Sequence, residues 1–146
     1  MARSRLPIPM AGPNLKQLLI SRNDWFAQQI MQRVRLSENA FLTDAQSRLL
    51  AHMGGKSMSM AELGRRLAIS RQAAHKMVTE LCRRGILELR DDPARGNSKI
   101  VAYTARGREI NRNGARIIED IEQRLARKLG AERVAQLKEI LGQDWD

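Results

Sequence analysis

The hydrophobic and polar positions between residues 59 and 84 follow the period of two short helices joined by a tight turn. Ser59 precedes Glu62 by three residues, which is the spacing of a capping box, and Leu63 and Leu67 follow at helical spacing. Ser70 is then placed to accept a hydrogen bond from the first turn of a second helix, which should end near residue 84. The pattern therefore predicts a helix-turn-helix.

The second of these helices has two faces of opposite character. Ala73 or Ala74 forms an apolar stripe with Met77, Val78 and Leu81. The opposite face carries five polar or cationic side chains and no carboxylate: Arg71, Gln72, His75, Lys76 and Thr79. Such a helix suits the DNA major groove, where the base edges offer hydrogen-bond acceptors and amino groups. An ordinary solvated face is the alternative, but the acid-free face and the capped helix before it favour DNA reading.

Amphipathic helices flank this motif on both sides. They are expected over residues 14–36, 43–53, 105–129 and 131–141. Asn14 should cap the first helix, Thr43 and Gln46 form a second capping box, and Thr104 should cap the longest helix. The apolar stripe of the first helix is wide enough to pack on its own domain and also on a partner chain. The two C-terminal helices have no adjacent sheet or third layer to cover them, so a second copy of the chain is the simplest partner.

Two apolar segments after the helix-turn-helix predict a β-hairpin. Residues 86–90 and 99–103 read as strands, and residues 91–98 between them are polar and rich in turn formers. A helix-turn-helix followed at once by a hairpin is the winged-helix arrangement. The wing tip would meet DNA phosphates or the minor groove through Arg95, Asn97, Ser98 and Lys99.

The predicted fold is mainly α with a small β-hairpin wing, a winged helix-turn-helix whose terminal helices form a dimerisation lobe. Residues 37–104 form the DNA-binding lobe, and residues 14–36 and 105–146 form the helical dimerisation region of the same domain. Residues 1–13 contain three prolines and a glycine, which predicts an extended arm. Its Arg3 and Arg5 are within reach of a DNA backbone, although a frayed terminus is the simpler expectation.

The charge distribution points to a polyanionic partner. The net charge is +10 over 146 residues, and residues 57–108 hold 11 Lys and Arg against 5 Asp and Glu. Residues 109–146 are balanced, with 7 against 8, so the excess lies with the helix-turn-helix and the N-terminal part. Hence Arg65 and Arg66 in the first helix, with Ser70 and Thr79, are further candidates for phosphate contacts.

The composition argues against several other classes of protein. No apolar run approaches the length of a membrane span and no signal peptide opens the chain, so we expect a soluble cytoplasmic protein without a membrane partner. One cysteine, Cys82, excludes an intramolecular disulfide, and two isolated histidines do not predict a metal site. No nucleophile with its base is evident, so we predict no enzymatic activity and no cofactor.

The order of these segments resembles the MarR (multiple antibiotic resistance regulator) family of winged-helix transcription regulators. The resemblance extends from Asn14 to Leu141 and rests chiefly on the stretch from Ile69 to Leu87, with Leu42-Thr43 before it and Asp92-Pro93 and Gly107 after it. It implies an obligate homodimer with intertwined terminal helices. It also implies binding to promoter operators, often with release by a small phenolic or lipophilic ligand or by cysteine oxidation.

Two departures from the family pattern limit which family properties can be expected of this chain. The family usually has an arginine in the second half of the wing loop, where this chain has Gly96 and Asn97, and Arg95 stands one position early. Aromatic residues are few, at 3%. A pocket for a small lipophilic or aromatic effector would be lined by Trp25, Phe26, Arg48 and His52, although core packing explains these residues as well.

The sequence leaves two interpretations of Cys82 open. Cys82 lies near the buried side of its helix, which favours a small core thiol, while Arg83 and Arg84 would favour a reactive thiolate.

We predict a homodimeric repressor that binds a pseudo-palindromic double-stranded DNA operator. The alternatives are a dimeric winged-helix adaptor that binds protein without sequence-specific DNA readout, an RNA-binding winged helix and, last, an enzyme acting on nucleic acid.

Overall fold

The computed structural model describes residues 12–146, and within that range the chain forms six helices and three short strands. In chain order the elements are α1 (Leu15–Arg35), α2 (Asp44–Met53), β1 (Met58–Ser59), α3 (Met60–Leu67), α4 (Arg71–Arg83), β2 (Leu87–Asp91), β3 (Lys99–Tyr103), α5 (Ala105–Leu129) and α6 (Ala131–Gly142). The predicted fold class, a mainly helical winged helix-turn-helix, is confirmed. Most of the predicted arm, with Arg3 and Arg5, lies outside the described residues.

Side-chain caps start the helices where the sequence predicts them. Asn14 and Gln17 exchange hydrogen bonds of 2.9 Å at the start of α1. Thr43 and Gln46 do the same at α2, at 3.1 and 3.2 Å. These bonds satisfy amides that have no partner within a helix, which is why single polar residues set the boundaries.

The sheet has one strand more than the predicted hairpin. Its order is β1-β3-β2, all antiparallel, with Met58 opposite Val101 on one side of β3 and Leu89 opposite Val101 on the other. β1 has only two residues, too few to show an alternating pattern. Pairing with β3 creates this strand, and it fixes the loop that leads into α3.

The main core lies where α2, α3 and α4 pack on the sheet. The large side chains that are fully buried there include Leu49, Met53, Leu63, Leu81 and Ile86. The hydroxyl of Tyr103 donates a buried hydrogen bond of 3.0 Å to the carbonyl of Leu50, so β3 is tied to α2 by a polar contact as well. The DNA-binding lobe expected over residues 37–104 is therefore built around one shared interior.

Hydrogen bonds attach the start of α5 to Ile86, the residue immediately before β2. The carbonyl of Ile86 accepts hydrogen bonds from the Thr104 backbone N–H at 3.1 Å and from its hydroxyl at 3.0 Å. The Thr104 hydroxyl oxygen also accepts from the Gly107 N–H at 3.0 Å. A Cβ at Gly107 would lie 2.0 Å from the Ile86 oxygen, so this helix can dock here only because residue 107 is glycine.

The terminal helices remain partly uncovered. Arg33 of α1 pairs with Asp120 of α5 at 3.0 Å, and Lys138 of α6 pairs with Glu122 of α5 at 2.7 Å. Large apolar side chains on these three helices nevertheless stay exposed: Leu15, Leu18, Leu19, Ile20, Ile118, Leu129, Leu137, Ile140 and Leu141. No residue of α6 is buried.

We expect Gly107→Ala to destabilise the fold by about 1–3 kcal/mol or more, because the added methyl must push the Ile86 carbonyl away from the Thr104 cap. Urea unfolding followed by circular dichroism measures the change. Gly114→Ala in the same helix is the matched control, since a Cβ there meets no atom within 4 Å. The free energy of unfolding of that control should rise by roughly 0.5–1 kcal/mol, because alanine has a higher helix propensity than glycine. Equal effects of the two substitutions would contradict the packing assigned to Gly107.

Candidate nucleic-acid interface

The helix-turn-helix is a compact unit in which α3 and α4 cross at close range. The Ser59 and Ser70 hydroxyl oxygens each accept an N–H three residues on, at 3.1 Å, and so cap α3 and α4. Between the helices Ala68 adopts a left-handed conformation with φ of +53°, which is uncommon for a residue other than glycine. Gly64 is buried, and a Cβ there would lie 4.0 Å from the Ala74 Cβ. These residues set the crossing of the two helices.

Burial of one side of α4 decides what the other side presents. Ala74, Val78 and Leu81 are fully buried in the core. Arg71, Gln72, His75 and Lys76 are exposed, as the helical period predicts. A shallow surface runs along this side of α4, from Ser70 past Lys76 to Arg83.

Two predicted contact residues are engaged within the helix. The Thr79 hydroxyl donates to the carbonyl of His75 at 2.8 Å, and the side chain is half-buried. The Ser70 hydroxyl oxygen accepts from the Ala73 N–H at 3.1 Å, although its own hydrogen remains available to a phosphate. Thr79 is therefore less free to meet DNA than its position on the helical wheel suggests.

Sequence reasoning missed two charged residues at the end of this surface. Glu80 and Arg83 line it together with Lys76 and Thr79. Extending the helical wheel by one turn would have found them, because positions 76, 79, 80 and 83 are spaced by three and four residues. Glu80 is half-buried and accepts a hydrogen bond of 3.5 Å from the buried Gln46 amide. The acid-free part of α4 is therefore its first two turns.

The predicted capping box at α3 is only half formed. Ser59 accepts the Glu62 N–H, but the Glu62 carboxylate bonds to Arg65 and, at 2.9 Å, to the Arg66 Nε instead of returning to the Ser59 backbone. Hydrogen bonds from Arg66 and then Arg65 lower the pKa of Glu62 below its ordinary value. The two arginines expected to meet phosphates thus share one carboxylate in this structure.

The wing keeps part of its predicted basic edge. Arg95 and Asn97 are exposed in the loop between β2 and β3, which is closed by a bond of 3.1 Å from the Asp92 N–H to the Ser98 carbonyl. Lys99 instead pairs with Asp91 across the strand pair, and this contact lowers the pKa of Asp91. Arg95 is therefore the cation at the wing tip without an ion-pair partner among residues 12–146.

The structure brings together three of the four residues predicted to line an effector pocket. Phe26, Arg48 and His52 line an open groove of about 850 Å³ between α1 and α2. Burial, then the charges of Arg48 and Arg66, lower the pKa of His52, which favours its neutral form. Trp25 faces a different surface of α1 and touches Phe26 edge-on, with ring centroids 5.1 Å apart. Neighbours in sequence on a helix point about 100° apart, which is why Trp25 does not join the groove.

Cys82 lies in an environment that suppresses the thiolate. Burial first, and then the Glu88 carboxylate, raise the pKa of the Cys82 thiol above its ordinary value. Arg84, which was expected to act in the opposite direction, lies over the Phe41 ring at 4.6 Å from its centroid. The core-thiol interpretation is the one that the environment of Cys82 supports.

Residues 12–146 contain no group of three or more His, Cys, Asp or Glu side chains arranged to hold a metal ion. Over the same range no helix combines the length and the apolar character needed to span a membrane.

Comparisons with known proteins agree with this geometry. The sequence model of the MarR family matches residues 42–96, which include α3, α4 and the first part of the wing. A search of curated proteins found no significant match to the chain.

Solved structures extend the likeness to the terminal helices. Apo MarR from E. coli is 22% identical, with 90% of this chain and 96% of that chain covered and a TM-score of 0.71. NadR in complex with 4-hydroxyphenylacetate is 18% identical, with 93% and 95% covered and a TM-score of 0.74. MepR from S. aureus in its DNA-binding conformation is 17% identical, with 88% and 94% covered and a TM-score of 0.68.

The chain has the winged helix-turn-helix fold of the MarR-family transcription regulators. It carries the family's sequence pattern over residues 42–96. The resemblance predicted from the sequence is confirmed.

We expect Cys82 to be alkylated slowly at neutral pH, because its raised pKa leaves less of the reactive thiolate in the folded chain. Iodoacetamide rates measured from pH 7 to 10 on the folded and the urea-unfolded protein test this. The folded rate should be the lower one and should approach the unfolded rate only as the pH rises through the raised pKa. Glu88→Gln removes the smaller cause and should move the folded profile slightly to lower pH. A folded thiol that reacts faster at pH 7 would revive the redox-sensor interpretation.

Proposed function

We propose that the protein is a homodimeric MarR-family repressor that reads a pseudo-palindromic double-stranded DNA operator through α4. The observation that carries this proposal is the exposed, acid-free start of α4, with Arg71, Gln72, His75 and Lys76 held outward by a fully buried opposite side. A helix so presented fits the width of the major groove. The fold supports the same assignment, since MepR, one of the similar structures, is in a DNA-binding conformation.

The residues that would read the bases are those whose side chains can form hydrogen bonds with base edges. Arg71 can bond two acceptors of guanine, and Gln72 can bond adenine in the same two-point manner. His75 and Lys76 lie one turn further along and extend the contact to neighbouring base pairs. These four residues carry the sequence preference.

The contacts to phosphate lie around this helix. Ser70, at the N-terminus of α4, and Arg95, Asn97 and Ser98 in the wing suit the DNA backbone. Arg65, Arg66 and Lys99 join them when a phosphate replaces Glu62 or Asp91 as their partner. Such an exchange costs little because exposed ion pairs contribute about 0–1 kcal/mol at most. Thr79 is at most a peripheral contact.

Dimerisation would cover the apolar surface that the terminal helices leave open. Leu15 is 61% exposed, Leu137 51% and Ile140 55%, and further large apolar side chains are exposed on α1, α5 and α6. A contiguous apolar surface on a soluble protein marks an interface. A twofold-related second copy would also place two α4 helices about one DNA turn, roughly 34 Å, apart.

Release by a small effector is part of the proposal. The groove with Phe26, Arg48 and His52 joins α1 of the dimerisation region to α2 of the DNA-binding lobe. A lipophilic or aromatic ligand there would be in contact with both regions. NadR, which shares the fold, has been solved with 4-hydroxyphenylacetate.

We expect Gln72→Ala and Arg71→Ala each to relax sequence preference at particular base pairs, at a cost of about 1–3 kcal/mol for a lost two-point contact. Selection from a random duplex library by the wild type and each variant, followed by sequencing, measures this change. The wild type should enrich a palindrome. Lys128→Ala is the control, because Lys128 lies near the far end of α5, roughly 35 Å along the helix from its start.

Two outcomes would count against the proposal. If both α4 variants enrich the same sequence as the wild type, α4 does not read bases. If the wild type binds no duplex, or every duplex equally, a dimeric adaptor is the better description.

We expect Leu137→Asp to shift the protein from dimer to monomer, because a buried unpaired carboxylate at the subunit interface is strongly unfavourable. Sedimentation velocity at micromolar concentration measures the shift, and operator binding should weaken with it. Leu89→Asp is the matched control, since Leu89 is 39% exposed but lies in the wing. A monomeric wild type, or a Leu137→Asp protein that remains dimeric, would contradict the assigned interface.

A further inference from the structure

Three arginines meet at the junction where α4 ends and α5 begins. Arg83 is the last residue of α4, Arg84 is its C-cap, Arg106 lies in the first turn of α5, and all three are exposed. The guanidinium carbons of Arg84 and Arg106 lie 4.6 and 5.6 Å from the centre of the Phe41 ring. None of the three arginines forms an ion pair with a carboxylate among residues 12–146. The junction therefore concentrates positive charge without a counter-charge.

The fold, and not an acidic partner, holds two of these cations together. The Arg106 Nη1 donates a hydrogen bond of 2.8 Å to the carbonyl of Arg84. The electron-rich face of the Phe41 ring attracts both guanidinium groups. The two charges are nevertheless no farther apart than about 10 Å, the Debye length at 0.1 M salt, so salt does not fully screen their repulsion. An anion bound beside them would offset this repulsion.

An open depression beside these arginines continues the surface of α4. Its volume is about 440 Å³, and its lining consists of Phe41, Thr43, Gln46, Glu80, Arg83 and Arg84. Glu80 and Arg83 also line the surface that runs along α4 from Ser70 past Lys76. The depression is therefore reached along the same face of α4 that holds the residues proposed to read bases.

The charges around the depression favour an anion. Glu80 is the one carboxylate of the lining; it accepts a hydrogen bond of 3.5 Å from the Gln46 amide and pairs with none of the three arginines. Three guanidinium groups thus stand against one carboxylate. Guanidinium groups bind phosphate and carboxylate by two parallel hydrogen bonds. Because the depression continues the proposed DNA surface, its position favours phosphate.

We propose that Arg83 and Arg84, with Arg106 beside them, bind a phosphate of the DNA backbone outside the base pairs that Gln72 contacts. Arg83 lies roughly 16 Å along α4 from Gln72, because a helix rises about 1.5 Å per residue. That distance spans up to about five base pairs of duplex, at roughly 3.4 Å each. The inference rests on the proposed function, since it adds a contact to the same DNA surface.

The double variant Arg83→Gln/Arg84→Gln tests this contact. Fluorescence anisotropy measures its binding from roughly 50 to 200 mM salt, to the palindrome that the wild type selects and to a random-sequence duplex. The slope of log K against log salt should become shallower by about 0.9 for each half-site, the value of one phosphate contact. Affinity at the lowest salt should fall about tenfold or more. The selected sequence should stay the same, because phosphate contacts carry no base information.

Two further variants separate the contact from general effects of charge and folding. Arg127→Gln/Lys128→Gln is the matched control, since it removes the same charge from exposed residues in the last turn of α5, and its slope should match that of the wild type. Glu80→Gln removes the carboxylate of the lining and should tighten binding about twofold or more. Loss of structure cannot produce tighter binding. Thermal melting of each protein confirms that it is folded.

Ethylation interference locates the phosphate on the selected duplex. In the wild type, binding should be blocked by ethylation of phosphates beside the base pairs that α4 reads and of a flanking phosphate in each half-site. The double variant should lose its sensitivity at the flanking phosphate alone. Inorganic pyrophosphate, titrated without DNA, distinguishes the backbone from a small phosphate ligand, and it should show no saturable binding.

Four results would overturn the proposal. They are an unchanged salt slope in the double variant, an equal change in the control, an unchanged ethylation pattern, or saturable pyrophosphate binding that the double variant loses. The last would assign the arginines to a small phosphate ligand. A wild type that enriches no palindrome would instead contradict the proposed function, and the slope on the random-sequence duplex would still test the arginines.

Discussion

The arrangement of this protein depends on how the apolar side of α4 is buried. Ala74, Val78 and Leu81 have no exposed surface, and together they fix the rotation of the helix about its own axis. Neighbouring residues on a helix differ by about 100°, so a rotation of one position would carry cationic side chains into the core. The outward direction of Arg71 and Gln72 is thus a consequence of packing on the opposite side.

The cations of the basic surface divide into those that pair with a carboxylate and those that have no such partner. Arg65 and Arg66 share Glu62, Lys99 pairs with Asp91, and Arg90 pairs with Glu88. Arg71 and Lys76 have no ion-pair partner among the described residues. The paired cations can change partner at little cost, because such exposed pairs are weak. Under the proposed function, a polyanion would meet the unpaired charges on α4 and at Arg95 of the wing first, and it could then recruit the paired cations around them.

The junction between the two regions joins the surface of α4 to the terminal helices. Ile86, at the end of the α4–β2 connection, holds the N-terminus of α5 through Thr104, and Gly107 allows the close approach. α5 then runs past α1, where Asp120 pairs with Arg33.

The sequence by itself determined the elements and their chemistry, because those features follow from local rules. Helix caps at Asn14, Thr43 and Thr104, and the helical period of α4, depend on residues only a few positions apart. Tertiary structure decided what depends on residues distant in the chain. β1 exists only through its pairing with β3, and the Glu62 carboxylate bonds to Arg65 and Arg66 and not to the Ser59 backbone. Trp25 faces away from the groove that Phe26 lines. Burial, with the nearby Glu88 carboxylate, raises the pKa of Cys82.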